Sequence, residues 1–181
     1  AYAAGLLASA AGNNSVALAT LASAKGSNAY SLGVSSVAFG NNAAAFGTLA
    51  NASGDASYAV GLFSKATDTN STAFGTNATA SNVNSFAIGS MATATGLDSV
   101  ALGVAASATQ NESFAAGTQS KAVANQALAF GANANASGNY SLAVGSNSQA
   151  SGENAQALGD RANASGNSSF SAGANSQATN T

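Results

Sequence analysis

The sequence predicts an all-β protein, a two-strand parallel β-solenoid of about thirteen fourteen-residue coils. Three observations predict it. One fourteen-residue unit repeats in unbroken phase along the 181 residues. Within the unit, large and small side chains alternate at period two, which sends them to opposite faces of a strand. Gly and Asn gather between the alternating runs, where a chain often needs φ > 0 to turn.

The unit is most legible in Ser99–Glu112: small, large, small, large, Gly, two turn residues, a second small-x-small-x-small run, two more turn residues. Units begin at Ala1, Ser15, Ala29, Ala43, Ser57, Ser71, Ser85, Ser99, Ser113, Ala127, Ser141, Ala155 and Ser169, a single repeat domain over 1–181. Position ten is Ala in every copy, from Ala10 to Ala178. Position three is Ala except at Ser31 and Ser171, and position five is Gly except at Ala19. Composition bias does not hold columns in register, so the repeat is the fold.

The first strand spans positions one to five. Its odd positions are small, as in Ser85, Ala87 and Gly89. Its even positions carry twenty large apolar residues. Position two supplies Tyr2, Val16, Tyr30, Tyr58, Phe86, Val100, Phe114, Leu128, Leu142 and Phe170. Position four supplies Leu18, Leu32, Phe46, Val60, Phe74, Ile88, Leu102, Phe130, Val144 and Leu158.

The second strand spans positions eight to twelve. It repeats the small face, as in Ala134, Ala136 and Gly138, behind a polar face of pairs such as Asn51/Ser53 and Gln149/Ser151. Stacked at the strand spacing of ~4.8 Å, the coils would make a rod of roughly 60 Å. The two small faces meet inside each coil, so the large residues face outward. An apolar stripe of that extent marks an interface, and symmetric self-association is its natural partner. The alternation alone is compatible with a dimer or a cyclic trimer.

Composition excludes several function classes. A net charge of −2 gives no basis for binding nucleic acid or anionic lipid. With no Cys there is no disulfide framework, and the lack of Pro suits a chain made of paired strands. No export signal and no run long enough to span a membrane is expected, so the chain reads as an internal segment of something longer.

Without His or Cys the common nucleophile–base pairs are missing, and no enzyme activity or cofactor is expected. The acidic residues Asp55, Asp68, Asp98, Glu112, Glu153 and Asp160 mostly sit in separate turns, which gives neither a paired carboxylate site nor the regular Asp of a calcium-binding β-roll. No metal site is expected.

The repeat resembles the YadA-type head repeats of trimeric autotransporter adhesins, whose pattern is close to N-S-V-A-I-G-x-x-A-x-A-x-G. Asn84–Ser85–Phe86–Ala87–Ile88–Gly89, continuing to Ala92, Ala94 and Gly96, carries the likeness, and all thirteen units share it. The resemblance implies a left-handed parallel β-roll and a homotrimeric head. It implies that the stripe packs along the three-fold axis, every member except Tyr2, Tyr30, Leu32, Phe46 and Phe170 forming the trimer core. It also implies an outer-membrane location on a Gram-negative cell surface, with the anchor outside this segment. Non-catalytic attachment to host cells or matrix (the collagen, fibronectin or laminin class) and autoagglutination would follow.

The sequence departs from that pattern in two ways. Position twelve holds Asp68, Asn82, Gln110, Ala124 and Asn180 in place of Gly, which implies a less constrained second turn. Coil 29–42 contains two first-strand halves, A-Y-S-L-G and S-V-A-F-G, and is expected to repack locally. That places Val37 and Phe39 where polar residues normally lie. With the outward basic residues Lys25, Lys65, Lys121 and Arg161, they are the candidate ligand contacts. An ice- or other surface-binding solenoid is the alternative, but among the outer pairs only Thr93/Thr95 makes its Thr-x-Thr file. A hexapeptide-repeat acyltransferase would need three-sided coils and a catalytic His.

Overall fold

The computed structural model describes residues 1–179; the position-twelve substitution at Asn180 lies outside the described residues. The fold is an all-β, parallel, two-sheet solenoid with a turn every fourteen residues. The chain divides into two compact units, 1–91 and 92–181.

In the first unit the strands Tyr2–Ala4, Val16–Leu18, Tyr30–Leu32, Ala44–Phe46, Tyr58–Val60, Thr72–Phe74 and Phe86–Ile88 form one sheet. The strands Ser9–Ala10, Ser23–Ala24, Val37–Ala38, Asn51–Ala52, Lys65–Ala66 and Thr79–Ala80 form the other. Pairing is parallel with each residue opposite its equivalent one coil on: Tyr58 faces Thr72, Ala59 faces Ala73 and Val60 faces Phe74.

The second unit repeats the plan. The strands Val100–Leu102, Phe114–Ala116, Leu128–Phe130, Leu142–Val144, Gln156–Leu158 and Phe170–Ala172 form one sheet. Thr93–Ala94, Ser107–Ala108, Lys121–Ala122, Asn135–Ala136, Gln149–Ala150, Asn163–Ala164 and Gln177–Ala178 form the other.

The strands are shorter than the alternation predicts, three and two residues rather than five. The position-five Gly explains the first boundary. Gly61 has φ 129° and Gly75 has φ 138°, outside the strand region, so the turn starts there.

Each turn then closes with a carbonyl-to-amide bond across two central residues. The N–H of Ala50 donates to Gly47 O at 3.2 Å, and that of Ser57's counterpart Ser15 donates to Gly12 O at 3.3 Å. The second central residue has positive φ, as at Leu49 (59°) and Asn14 (54°), which is the type II pattern. The turns also bond from coil to coil. The N–H of Asn28 donates to Asn13 O at 2.7 Å, so backbone pairing continues through the corners.

The interior is filled by small residues alone. Ala59, Ala66, Ala73 and Ala80 are fully buried, and the largest fully buried side chains are serines. Those hydroxyls need partners in a dry interior, and most find one three residues back. Ser57 Oγ donates to Gly54 O at 2.6 Å, and Ser64 Oγ donates to Gly61 O at 2.9 Å. Each bond pins one of the two turns.

The exceptional Ser31 and Ser171 at position three are explained the same way. Their hydroxyls pair with Ser36 (2.6 Å) and Ser176 (2.7 Å) across the inside of the coil.

Coil 29–42 does not repack. Tyr30–Leu32 pairs with Val16–Leu18 and Ala44–Phe46 in unbroken register, and Val37–Ala38 does the same in the other sheet. Either half of the unit presents a small inward face, so a first-strand sequence fits the second strand without disturbing the coil.

Two of the position-twelve substitutions bring their own acceptor. Asp68 Oδ1 accepts the N–H of Thr69 at 2.7 Å, and Asn82 Oδ1 accepts that of Val83 at 2.9 Å.

Ala19 is the one position-five residue with a Cβ, held at φ 111°. The bond beside it, from the N–H of Gly33 to Leu18 O, is 3.1 Å; the equivalent bond from Gly61 to Phe46 O is 2.8 Å. Gly173, in the last coil, has open space, but under a stacked coil the column is closed to side chains. A Cβ on Gly75 would lie 2.4 Å from Gly89 O.

Ala19→Gly should therefore raise stability by about 1 kcal/mol, while Gly75→Ala should lower it by about 1 to 3 kcal/mol. Denaturant unfolding followed by circular dichroism checks both signs.

Candidate functional site

The coil leaves three surfaces for function: the outer face of each sheet, and the corners between them. On the longer strands the outer face is the apolar stripe. Phe74 is 53% exposed, Tyr58, Phe86, Ile88, Phe130 and Val144 are also exposed, and smaller members such as Val16, Val60 and Leu102 are half-buried by their neighbours along the sheet. Stacking neighbours cover the edges of each side chain and leave its tip in water. Where a small residue interrupts the file, the gap is filled. Ala116 lies opposite Phe130, whose ring reaches Phe114 in a stacked contact at 5.1 Å between centroids.

On the shorter strands the outer face is polar, and the predicted ligand contacts fall there or at the corners. Lys25 and Phe39 are brought together, with the ammonium 4.4 Å from the ring centroid. That geometry is a cation–π contact, so Lys25 covers part of the apolar spot that Phe39 and half-buried Val37 create. Lys65 sits exposed between Asn51 and Thr79 of the adjoining coils.

In the second unit Lys121 lies between Ser107 and Asn135. It borders a shallow polar groove with Gln119, Asn133, Asn135 and Gln149. Arg161 occupies a corner with φ 54° beside Asp160, 3.6 Å away and solvent-exposed, a pairing worth little. It borders a second such groove with Asn147, Gln149 and Asn163. The basic residues thus sit in separate coils and form no cluster. Among the described residues no group of three or more acidic side chains could hold a metal, and no helix is long and apolar enough to cross a membrane.

The corners hold what alternation could not reveal. At the corner after position thirteen, Asn side chains bond along the stack. Asn28 Nδ2 donates to Asn42 Oδ1 at 3.2 Å, and Asn70 Nδ2 donates to Asn84 Oδ1 at 3.2 Å. Asp55 Oδ1 likewise accepts the N–H of Asn41 at 2.7 Å.

At the other corner the first unit places exposed Leu6, Leu7, Leu21, Val34, Leu49, Leu62 and Phe63. The second unit has exposed Val104 at this corner too, but places Gln119, Asn133, Asn147 and Arg161 at the position that Leu49 and Phe63 take. The signal was in the sequence, as the runs Gly5–Leu6–Leu7 and Gly61–Leu62–Phe63, but period-two reading stops at the turn.

A parallel two-sheet solenoid with an apolar outer face on one sheet and a polar outer face on the other is a repeat-built binding module. The family model of the YadA head domain repeat, two copies long, matches residues 24–50, 52–78, 69–92, 80–106, 94–120, 122–148 and 150–176, and the chain belongs to that family. It is a non-catalytic adhesin-head segment.

No curated protein gives a significant match. Among solved structures, one similar chain is the crystal structure of the collagen-binding domain of Yersinia adhesin YadA. It is 25% identical, and the match covers 90% of this chain and 68% of that one with a TM-score of 0.32.

Substituting Lys25, Lys65, Lys121 and Arg161 together by Ala should leave folding intact, since three are exposed on the polar face or a corner and Lys25 loses one surface contact of about 0.5 to 1 kcal/mol. It should weaken binding to an acidic partner. Circular dichroism and a solid-phase binding assay separate the two effects, and unchanged binding removes these residues as contacts.

Proposed function

We propose that this chain is the binding head of a bacterial surface adhesin that assembles as a homotrimer and attaches to host extracellular matrix or cells. One observation carries the reading: the outer face of one sheet is an in-register file of large apolar side chains that a single chain leaves in water. Val60, Phe74 and Ile88 follow one another at successive coils of the first unit, and Leu128 and Leu142 do so in the second. A face of this kind is far costlier in water than a monomer normally tolerates. Every copy carries the same file, so copies of the chain are the partner that matches it along its length.

Three stripes turned toward one axis would bury most of the file and leave three polar sheets outward. Each polar sheet offers amides, hydroxyls and isolated lysines at every coil, with no deep pocket. Weak contacts repeated along the coils and multiplied by three chains give avidity without a single strong site. The collagen, fibronectin and laminin class suits such a surface, because those ligands are long and repetitive. YadA-family adhesins are displayed at the outer membrane, which puts such a head where host matrix can reach it.

Light scattering should give three times the chain mass of 17.1 kDa. A stable single chain would overturn the reading. Phe74→Asp, which sets a carboxylate between Val60 and Ile88, should dissociate or unfold the assembly, because it buries an unpaired charge worth about 3 to 5 kcal/mol. An assembly of unchanged mass and melting temperature would show that the stripe faces solvent.

A further inference from the structure

We infer that the leucine-rich corner of residues 1–91 is a second, off-axis contact between copies of this chain, packing against the tyrosine edge of the next copy. The inference rests on the trimeric reading above and adds to it the corner, which lies outside the apolar stripe, packed against the stripe's own position-two edge.

The corner residues are in the wrong place for a free turn. The second central residue of each corner has positive φ: 59° at Leu21, 59° at Leu49 and 58° at Phe63. A type II turn asks for Gly or Asn there, and a bulky side chain in that region is strained. Three corners comply, with Asn77 at φ 56° and Asn133 and Asn147 at φ 57°. Three others instead hold Leu21 (48% exposed), Leu49 (43%) and Phe63 (43%) out in water at a cost in backbone strain. Both terms oppose folding of the single chain. A contact that forms only on assembly removes the second and offsets the first.

Continuity with the stripe selects the occupant. Leu49 follows Phe46, and Phe63 follows Val60, by three residues, so each corner lies within about 11 Å along the chain from the proposed interface. Three sheets set around an axis meet end to end, like the sides of a triangle. The end after position four of one copy then faces the end that carries position two of the next. In the first unit those edge residues include Tyr2, Tyr30 and Tyr58, all exposed. Tyrosine suits a rim contact, its ring covering apolar surface while its hydroxyl stays in water. In the second unit that edge carries Val100, Phe114, Leu128, Leu142, Gln156 and Phe170, with no tyrosine at position two.

The test uses the sign of a stability change. Leu21, Leu49 and Phe63 are replaced together by Asn, the residue that this turn favours. If the corner packs against a neighbouring copy, the assembly should melt several degrees lower and dissociate at a higher protein concentration. If the corner is free, relief of the strained φ should leave melting unchanged or raise it, which would overturn the inference.

Because the chain has no Cys, single thiols report burial directly. In the assembled protein Leu49→Cys should react with a maleimide roughly tenfold or more slowly than Asn147→Cys, and the two should react alike once unfolded. Equal rates in the assembly would also overturn it, and would leave the corner open to an outside partner. Phe74→Cys keeps the two readings apart. A protected Phe74→Cys with a reactive Leu49→Cys defeats the corner contact alone. A reactive Phe74→Cys, or a single-chain mass, defeats the stripe and the corner contact with it.

Discussion

Everything in this molecule follows from an interior that admits nothing larger than serine. Coil stacks on coil through parallel backbone bonds, and the two small faces close on each other, as at Ala59, Ala66, Ala73 and Ala80. Most hydroxyls that enter this space are tied back to turn carbonyls, as Ser57 is to Gly54, so polarity inside strengthens the turns. A core of alanine buries little apolar area per coil. Its compensation is regularity: residues fourteen apart repeat the same bond, and Ser31, the exception at position three, finds a hydroxyl partner in Ser36.

The same constraint drives function outward. A coil that cannot take Phe, Leu or Tyr inside must carry them on its surface, and most of them fall on one sheet face and one corner. The other sheet face is mainly polar, with Phe39 and Val123 as exposed exceptions. The proposed self-association and ligand contact would then use opposite sides of a coil only fourteen residues long. Neither function needs a pocket, and the grooves beside Lys121 and Arg161 are shallow.

The corners vary from coil to coil. The same positive-φ turn holds Leu49 and Phe63 in some and Asn77, Asn133 and Asn147 in others. Asn at such a point satisfies the backbone, and in the opposite corner it adds amide bonds along the stack, as from Asn28 to Asn42. Leu does neither. Its presence there marks where the chain trades local comfort for contact with something else.

The sequence by itself determined the fourteen-residue coil, the parallel two-sheet solenoid and the side of each strand on which every residue lies. Period-two alternation and fixed phase are local properties, and backbone pairing converts them into a sheet without further information. It also located the apolar stripe and the basic residues. It did not reveal that coil 29–42 keeps its register, because whether Val37 and Phe39 disturb a coil depends on the space beside Ala38 and the approach of Lys25, not on their own pattern. Nor did it reveal that Lys25 is engaged with Phe39, or that Leu21, Leu49 and Phe63 sit exposed at strained corners. Those facts depend on φ values and on contacts between residues one coil apart, which only stacking of the coils sets.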